Sequence, residues 1–139
     1  MEENKISFKK FLPGLAWFFV VGILTLMPGK DVPEVGWLNI PNLDKFVHMV
    51  LFGTLTLLFC LPYSKTGFSF LKKRNIFVRI SLSMILWGIM IEVIQKFFVP
   101  GRGFEWLDWA ADSFGVFIAF WVCIKVSKSQ KLQNKIPFY

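Results

Sequence analysis

The sequence predicts an all-α, polytopic membrane protein: a four-transmembrane-helix bundle with both termini in the cytoplasm. Composition is the first observation behind this, since 55% of the 139 residues are hydrophobic and 18% are aromatic, while only 18% are charged. That balance departs from soluble domains toward the membrane class. Charge placement is the second, because the charges gather between four apolar runs, Phe11 to Met27, Phe46 to Leu61, Ile76 to Val99 and Trp109 to Ile124. The third is an asymmetry of Lys and Arg among the connecting segments, which sets the orientation.

The length suits one compact unit, read as a cytoplasmic N-terminus (1–10), a four-helix membrane domain (11–126) and a basic cytoplasmic tail (127–139). The first, second and fourth runs are about 16 to 17 residues, at the short end of what crosses a hydrocarbon core, and the third is comfortably long. Short runs also suit a soluble bundle, but such a bundle needs a polar stripe on each helix. Leu12 to Met27 contains no charge and only one hydroxyl, Thr25.

In chain order, Pro13-Gly14 falls in the first turn of helix one, where a missing amide donor matters least, and Pro28-Gly29 stops that helix. The loop from Lys30 to Asn42, with Pro33, Gly36 and Pro41 around Trp37, is expected to be ordered, with the tryptophan at headgroup depth. Helix two is expected to start near Asn42 or Asp44, either of which can cap it, and to stop at Pro62-Tyr63. A basic loop from Ser64 to Asn75 follows, and after helix four comes an exposed, partly disordered tail. Gly14, Gly22, Gly53 and Gly88 are expected to permit close helix packing.

The amino terminus, middle loop and carboxyl tail hold 12 of the 16 Lys and Arg but only Glu2 and Glu3 among the nine acids. The positive-inside rule places all three in the cytoplasm, leaving the loops Pro28 to Lys45 and Phe97 to Asp108 outside. A net charge of +7 does not imply nucleic-acid binding here, because the cations sit at the ends of apolar runs rather than on one face of a soluble fold. Cys60 and Cys123 lack the spacing of a disulfide framework or thiolate metal site and read as small packing residues. Lys5, Lys9 and Lys10 before an apolar run resemble a signal peptide, but without a small-residue cleavage pattern the run reads as an uncleaved first helix.

The chemistry-bearing residues fall on the predicted outer side. Asp44 and His48 are one turn apart on helix two with Lys45 adjacent, Glu92 and Gln95 share a face of helix three, and Asp108, Asp112 and Gly115 line one face of helix four. Helices two and four both start there, so their unpaired amide donors, with Arg102 and Lys45, can hold a phosphate. The carboxylates oppose that unless they pair with cations, share protons or bind a metal. Four readings follow: proton transfer by Glu92, His48 and Asp108 on a phosphate-bearing substrate; a divalent ion held by His48 with two or three of Asp44, Glu92, Asp108 and Asp112; a binding cleft without chemistry; and a structural network in which Arg102 pairs with Asp108 or Glu92 while Asp44 and Asp108 cap helices. Trp106 and Trp109 beside Asp108 read as an interfacial aromatic belt, with headgroup or sugar stacking the sharper alternative.

Asp44-Lys45-Phe46-Val47-His48 followed by Phe52, then Glu92-Val93-Ile94-Gln95, Arg102-Gly103-Phe104-Glu105-Trp106-Leu107-Asp108 and Gly115, resembles the signature of the VanZ-like family of small bacterial membrane proteins. The resemblance covers roughly half the chain, from Asp44 to Gly115. It implies a multi-pass protein of the bacterial cytoplasmic membrane, with Asp44, Lys45, His48, Glu92, Gln95, Arg102 and Asp108 as motif residues. The family's named member is associated with reduced susceptibility to teicoplanin. Asp112 departs from the family, which often has asparagine there, and adds an acid to the site. The expected function is interaction with a phosphate-containing cell-envelope lipid or polymer, lowering glycopeptide susceptibility; the alternatives are a membrane-embedded transferase or hydrolase of a lipid-linked precursor, and a non-catalytic accessory subunit. No cofactor is required by these readings, although a divalent metal fits the donor set.

Overall fold

Four helices account for nearly all of the described chain: α1 (Leu12–Thr25), entered through a 3-10 turn (Phe8–Phe11), then α2 (Leu43–Ser64), α3 (Phe70–Phe98) and α4 (Trp106–Gln133). The structure is a computed structural model describing residues 6–28 and 42–133, with side chains described through Ser129. Expectations for Glu2, Glu3 and Lys5, for the loop around Trp37, and for the tail beyond Gln133 lie outside the described residues. All four helices are long and apolar enough to cross a membrane, and the described residues contain no strand. The outward faces carry Phe19, Ile23, Leu86, Phe97 and Phe117, each more than 60% exposed, which a multi-pass protein hides in lipid rather than in a core.

The helices run past their apolar segments. α3 starts six residues before Ile76 and α4 continues nine beyond Ile124, so the segment read as a tail from residue 127 is helical through Gln133. Lys and Gln are good helix formers, and a helix already nucleated in apolar sequence extends through them readily. Pro62 does not end α2, which continues to Ser64 with Pro62 inside its last turn. Asn42 takes a left-handed conformation (φ 63°) and makes no side-chain cap bond, and Asp44 turns to Lys45, so neither residue caps α2 as expected.

α2 and α4 make the most extensive helix contact, and glycine sets their spacing. A Cβ on Gly115 would collide with the Met49 carbonyl oxygen, and one on Gly53 would stand 3.2 Å from the Gly115 carbonyl oxygen. Around this contact pack Leu51, Phe52, Leu55, Val116, Ile91 and Val21. α3 approaches α4 at Gly88, where a Cβ would stand 3.1 Å from an Asp112 carboxylate oxygen. α1 is attached by Gly14 against the Phe59 ring and by the Trp17 indole N–H, which donates to the Leu51 carbonyl at 3.1 Å. A Cβ on Gly22 would meet no atom of another helix within 4 Å, and the residue borders an apolar groove between α1 and Trp87 of α3, so it does not serve helix packing as expected.

The two ends of the bundle differ. At the α2–α3 end, Cys60 and Cys123 pack with Phe77 in one buried cluster, and Lys73 is buried with its ammonium donating to the Ser64 carbonyl at 2.7 Å. Lys73 thus satisfies a terminal carbonyl of α2 rather than lying in solvent with the other loop cations. At the other end, Val99 to Arg102 forms a turn closed by the Arg102 amide on the Val99 carbonyl (3.2 Å), with Gly101 at φ +77° after Pro100. That is the type II pattern, which favours glycine at this position. The chain then turns back, and the Glu105 carbonyl accepts the Asp108 and Trp109 amides to start α4.

Candidate functional site

Three helices and the short α3–α4 connection bring their polar side chains together at this second end. α2 contributes Lys45 and His48 from its first two turns, α3 contributes Glu92, and α4 contributes Asp108 and Asp112 on successive turns of one face. His48, Glu92, Asp108 and Asp112 are each at most 6% exposed. The glycine contact between α2 and α4, at Met49 and Gly53 against Gly115, places the adjoining His48 against α4, so backbone packing positions the polar groups.

His48 is the centre of the set. Its Nδ1 lies 3.0 Å from Asp112 Oδ1, a hydrogen bond in which Nδ1–H donates in the neutral tautomer that leaves Nε2 unprotonated. Nε2 stands 3.7 Å from Asp108 Oδ2, beyond hydrogen-bond reach. Asp108 Oδ1 meanwhile accepts from the Lys45 ammonium at 2.8 Å. Lys45 also donates to Asp44 at 2.5 Å and to Glu105 at 3.2 Å, so this one ammonium is shared among three carboxylates.

Glu92 is fully buried and half satisfied. Its Oε2 accepts the Glu105 backbone N–H at 2.8 Å, while Oε1 has no hydrogen-bond partner. Asp112 Oδ2 is likewise buried and unpaired. Buried acceptors without partners are uncommon in folded proteins, and a carboxylate left so carries a large desolvation cost unless something supplies the missing interaction. One ligand atom each from His48, Glu92 and Asp108 lie within 4.8 Å of one another.

The remaining expected site residues have different surroundings. Asp44 sits at the exposed edge, where it forms with Glu105 and Asp108 a second, more open acidic group. The Gln95 side-chain amide donates to the Thr25 carbonyl at 2.7 Å, fastening α3 to the last turn of α1. Arg102 pairs with neither Glu92 nor Asp108, which are held by the Glu105 amide and Lys45; among the described residues its buried Nε has no partner. Trp109 donates its indole N–H to the Ile85 carbonyl at 3.3 Å, whereas Trp106 is 70% exposed and packs on Phe104 and Trp109. Trp106 thus has the exposure of a belt residue, and Trp109 has that of a structural one.

Glu105 is a participant that residue spacing did not single out. Its amide serves Glu92, its carbonyl starts α4 and its carboxylate meets Lys45. The signal was its place between Arg102 and Asp108 in the quoted motif. Comparison with family models, with characterised proteins and with solved structures gives no match to this chain.

Proposed function

We propose that the protein works in the bacterial cytoplasmic membrane with both termini inside, and that its polar cluster faces the outer leaflet and engages a phosphate-bearing lipid or lipid-linked polymer of the cell envelope. The observation that carries this reading is the burial of His48, Glu92, Asp108 and Asp112 together within helices suited to span a membrane. Ionisable groups are rare and costly at that depth, and they mark pathways and sites by default. The Lys and Arg distribution supports the outward orientation. The resemblance to the VanZ-like family, on the residues quoted above, supports an envelope role and the expectation of reduced teicoplanin susceptibility.

A catalytic form of this reading, a transferase or hydrolase of a lipid-linked precursor, is favoured by one feature. Asp112 holds His48 by Nδ1, the arrangement that fixes a general base with its other nitrogen available. Asp108 and Glu92 would then supply or receive the second proton, and Lys45 would help offset developing negative charge. Native mass spectrometry of the purified protein, with phosphate analysis of extracted lipid, tests the binding. Wild type should retain a phosphate-bearing lipid that Glu92→Gln and His48→Gln retain at least about tenfold less, the equivalent of ~1.4 kcal/mol. Equal retention by folded variants contradicts the reading.

A further inference from the structure

We propose that His48, Glu92 and Asp108 form a binding site for a divalent transition-metal ion of the zinc or manganese class. The geometry assigns each residue two separate tasks. His48 engages Asp112 through Nδ1 at 3.0 Å, Asp108 engages Lys45 through Oδ1 at 2.8 Å, and Glu92 engages the Glu105 amide through Oε2 at 2.8 Å. The second donor atom of each, His48 Nε2, Asp108 Oδ2 and Glu92 Oε1, makes no hydrogen bond among the described residues.

This is the pattern of a supported metal site. A ligating histidine commonly gives its other ring N–H to a carboxylate, which orients the ring and raises the basicity of the ligating nitrogen. His48 and Asp112 stand in that relation. Two ligands about 2.0–2.2 Å from one ion at a tetrahedral angle are about 3.3–3.6 Å apart. His48 Nε2 and Asp108 Oδ2, at 3.7 Å, are close to that spacing and too far apart to bond each other directly.

Glu92 supplies an independent sign. It is 0% exposed, its Oε1 is buried with no partner, and it belongs to the trio whose ligand atoms lie within 4.8 Å of one another. Charge points the same way. Among the described residues, Lys45 is the one Lys or Arg in a contact network that joins Asp44, Glu105, Asp108, Asp112 and Glu92 through His48, so carboxylates outnumber cationic side chains around the imidazole. A divalent cation offsets that excess, which burial would otherwise penalise. One imidazole with two carboxylates suits zinc, manganese or iron(II) better than magnesium or calcium, whose preferred donors are all oxygen.

Metal binding at this cluster does not require a bound lipid. Its readout is metal content, so the two ideas can fail separately. Detergent-purified wild-type protein is stripped with chelator, reloaded with zinc, desalted and measured by inductively coupled plasma mass spectrometry, with cobalt loading as a spectroscopic probe. Near-stoichiometric zinc is expected in wild type and in Cys60→Ser, which removes a thiol from the separate buried cluster with Phe77 and Cys123 and touches none of the three ligands. His48→Gln and Glu92→Gln should each weaken zinc binding at least tenfold. Cobalt should give ligand-field bands without the thiolate charge-transfer band expected if Cys60 and Cys123 bound it. Absence of retained zinc in reloaded wild type overturns the proposal, as does equal retention by His48→Gln and Glu92→Gln variants whose circular dichroism is native. A thiolate band in cobalt-loaded protein, lost on Cys60→Ser, also overturns it.

Discussion

Replacing Gly115 with alanine tests whether backbone contact between α2 and α4 builds the site. The added methyl would collide with the Met49 carbonyl oxygen and lie 2.9 Å from its carbonyl carbon and 3.1 Å from the Gly53 amide nitrogen. All three neighbours are backbone, so no side chain can swing aside. Restoring a contact near 3.5 Å requires the two helices to part by roughly 1.4 Å at this point. Met49 adjoins His48, and Gly115 lies one turn beyond Asp112, so the same shift strains the 3.0 Å bond between them.

Overpacking of this kind costs about 1–3 kcal/mol. For a chain of this size the melting midpoint should fall by about 3–10 °C. Gly22→Ala is the matched control, because nothing lies within 4 Å of that position and alanine is the better helix former by up to about 1 kcal/mol. Far-ultraviolet circular dichroism in detergent, recorded on heating, reads both. Gly115→Ala melting at or above wild type would refute the close-contact reasoning, as would a larger loss for Gly22→Ala.

Two other perturbations probe how the bundle is fastened. Lys73→Met keeps most of the side-chain volume but removes the ammonium on the Ser64 carbonyl, and should cost about 1–3 kcal/mol; Lys72→Met, at an exposed position, should change the midpoint little. Gln95→Leu removes the bond to the Thr25 carbonyl and should cost about 1–2 kcal/mol, while cross-linking or exchange experiments report a looser α1 and an unchanged α2–α4 pair. Loss of α2–α4 contacts in that variant would contradict the tether.

The sequence made the helix count and the polar end of the bundle legible because both rest on short-range regularities. Apolar runs reveal spans, and one-turn spacing puts Asp108 with Asp112 and Asp44 with His48 on the first turns of α2. Interhelix register is a different matter. Which carbonyl Gln95 meets, whether Lys73 is buried, and that Cys60 packs beside Cys123 depend on how far each helix slides and rotates, and that is fixed by contacts such as Gly53 with Gly115. Gly115 was visible as a motif residue, but its close approach to the Met49 backbone was not. Helix ends were also illegible, since Pro62 and the Lys-rich extension of α4 carry breaker or loop signals that an already formed helix overrides.

Side chains from separate helices form one coupled site, joined at His48 and Asp112. A double-mutant cycle on His48→Gln and Asp112→Asn, with stability read from reversible unfolding in detergent, tests it most directly. The 3.0 Å contact predicts that the two losses are non-additive, with a coupling of about 1–3 kcal/mol. Additive effects, with coupling below about 0.3 kcal/mol, would show that His48 and Asp112 do not meet and would contradict the account.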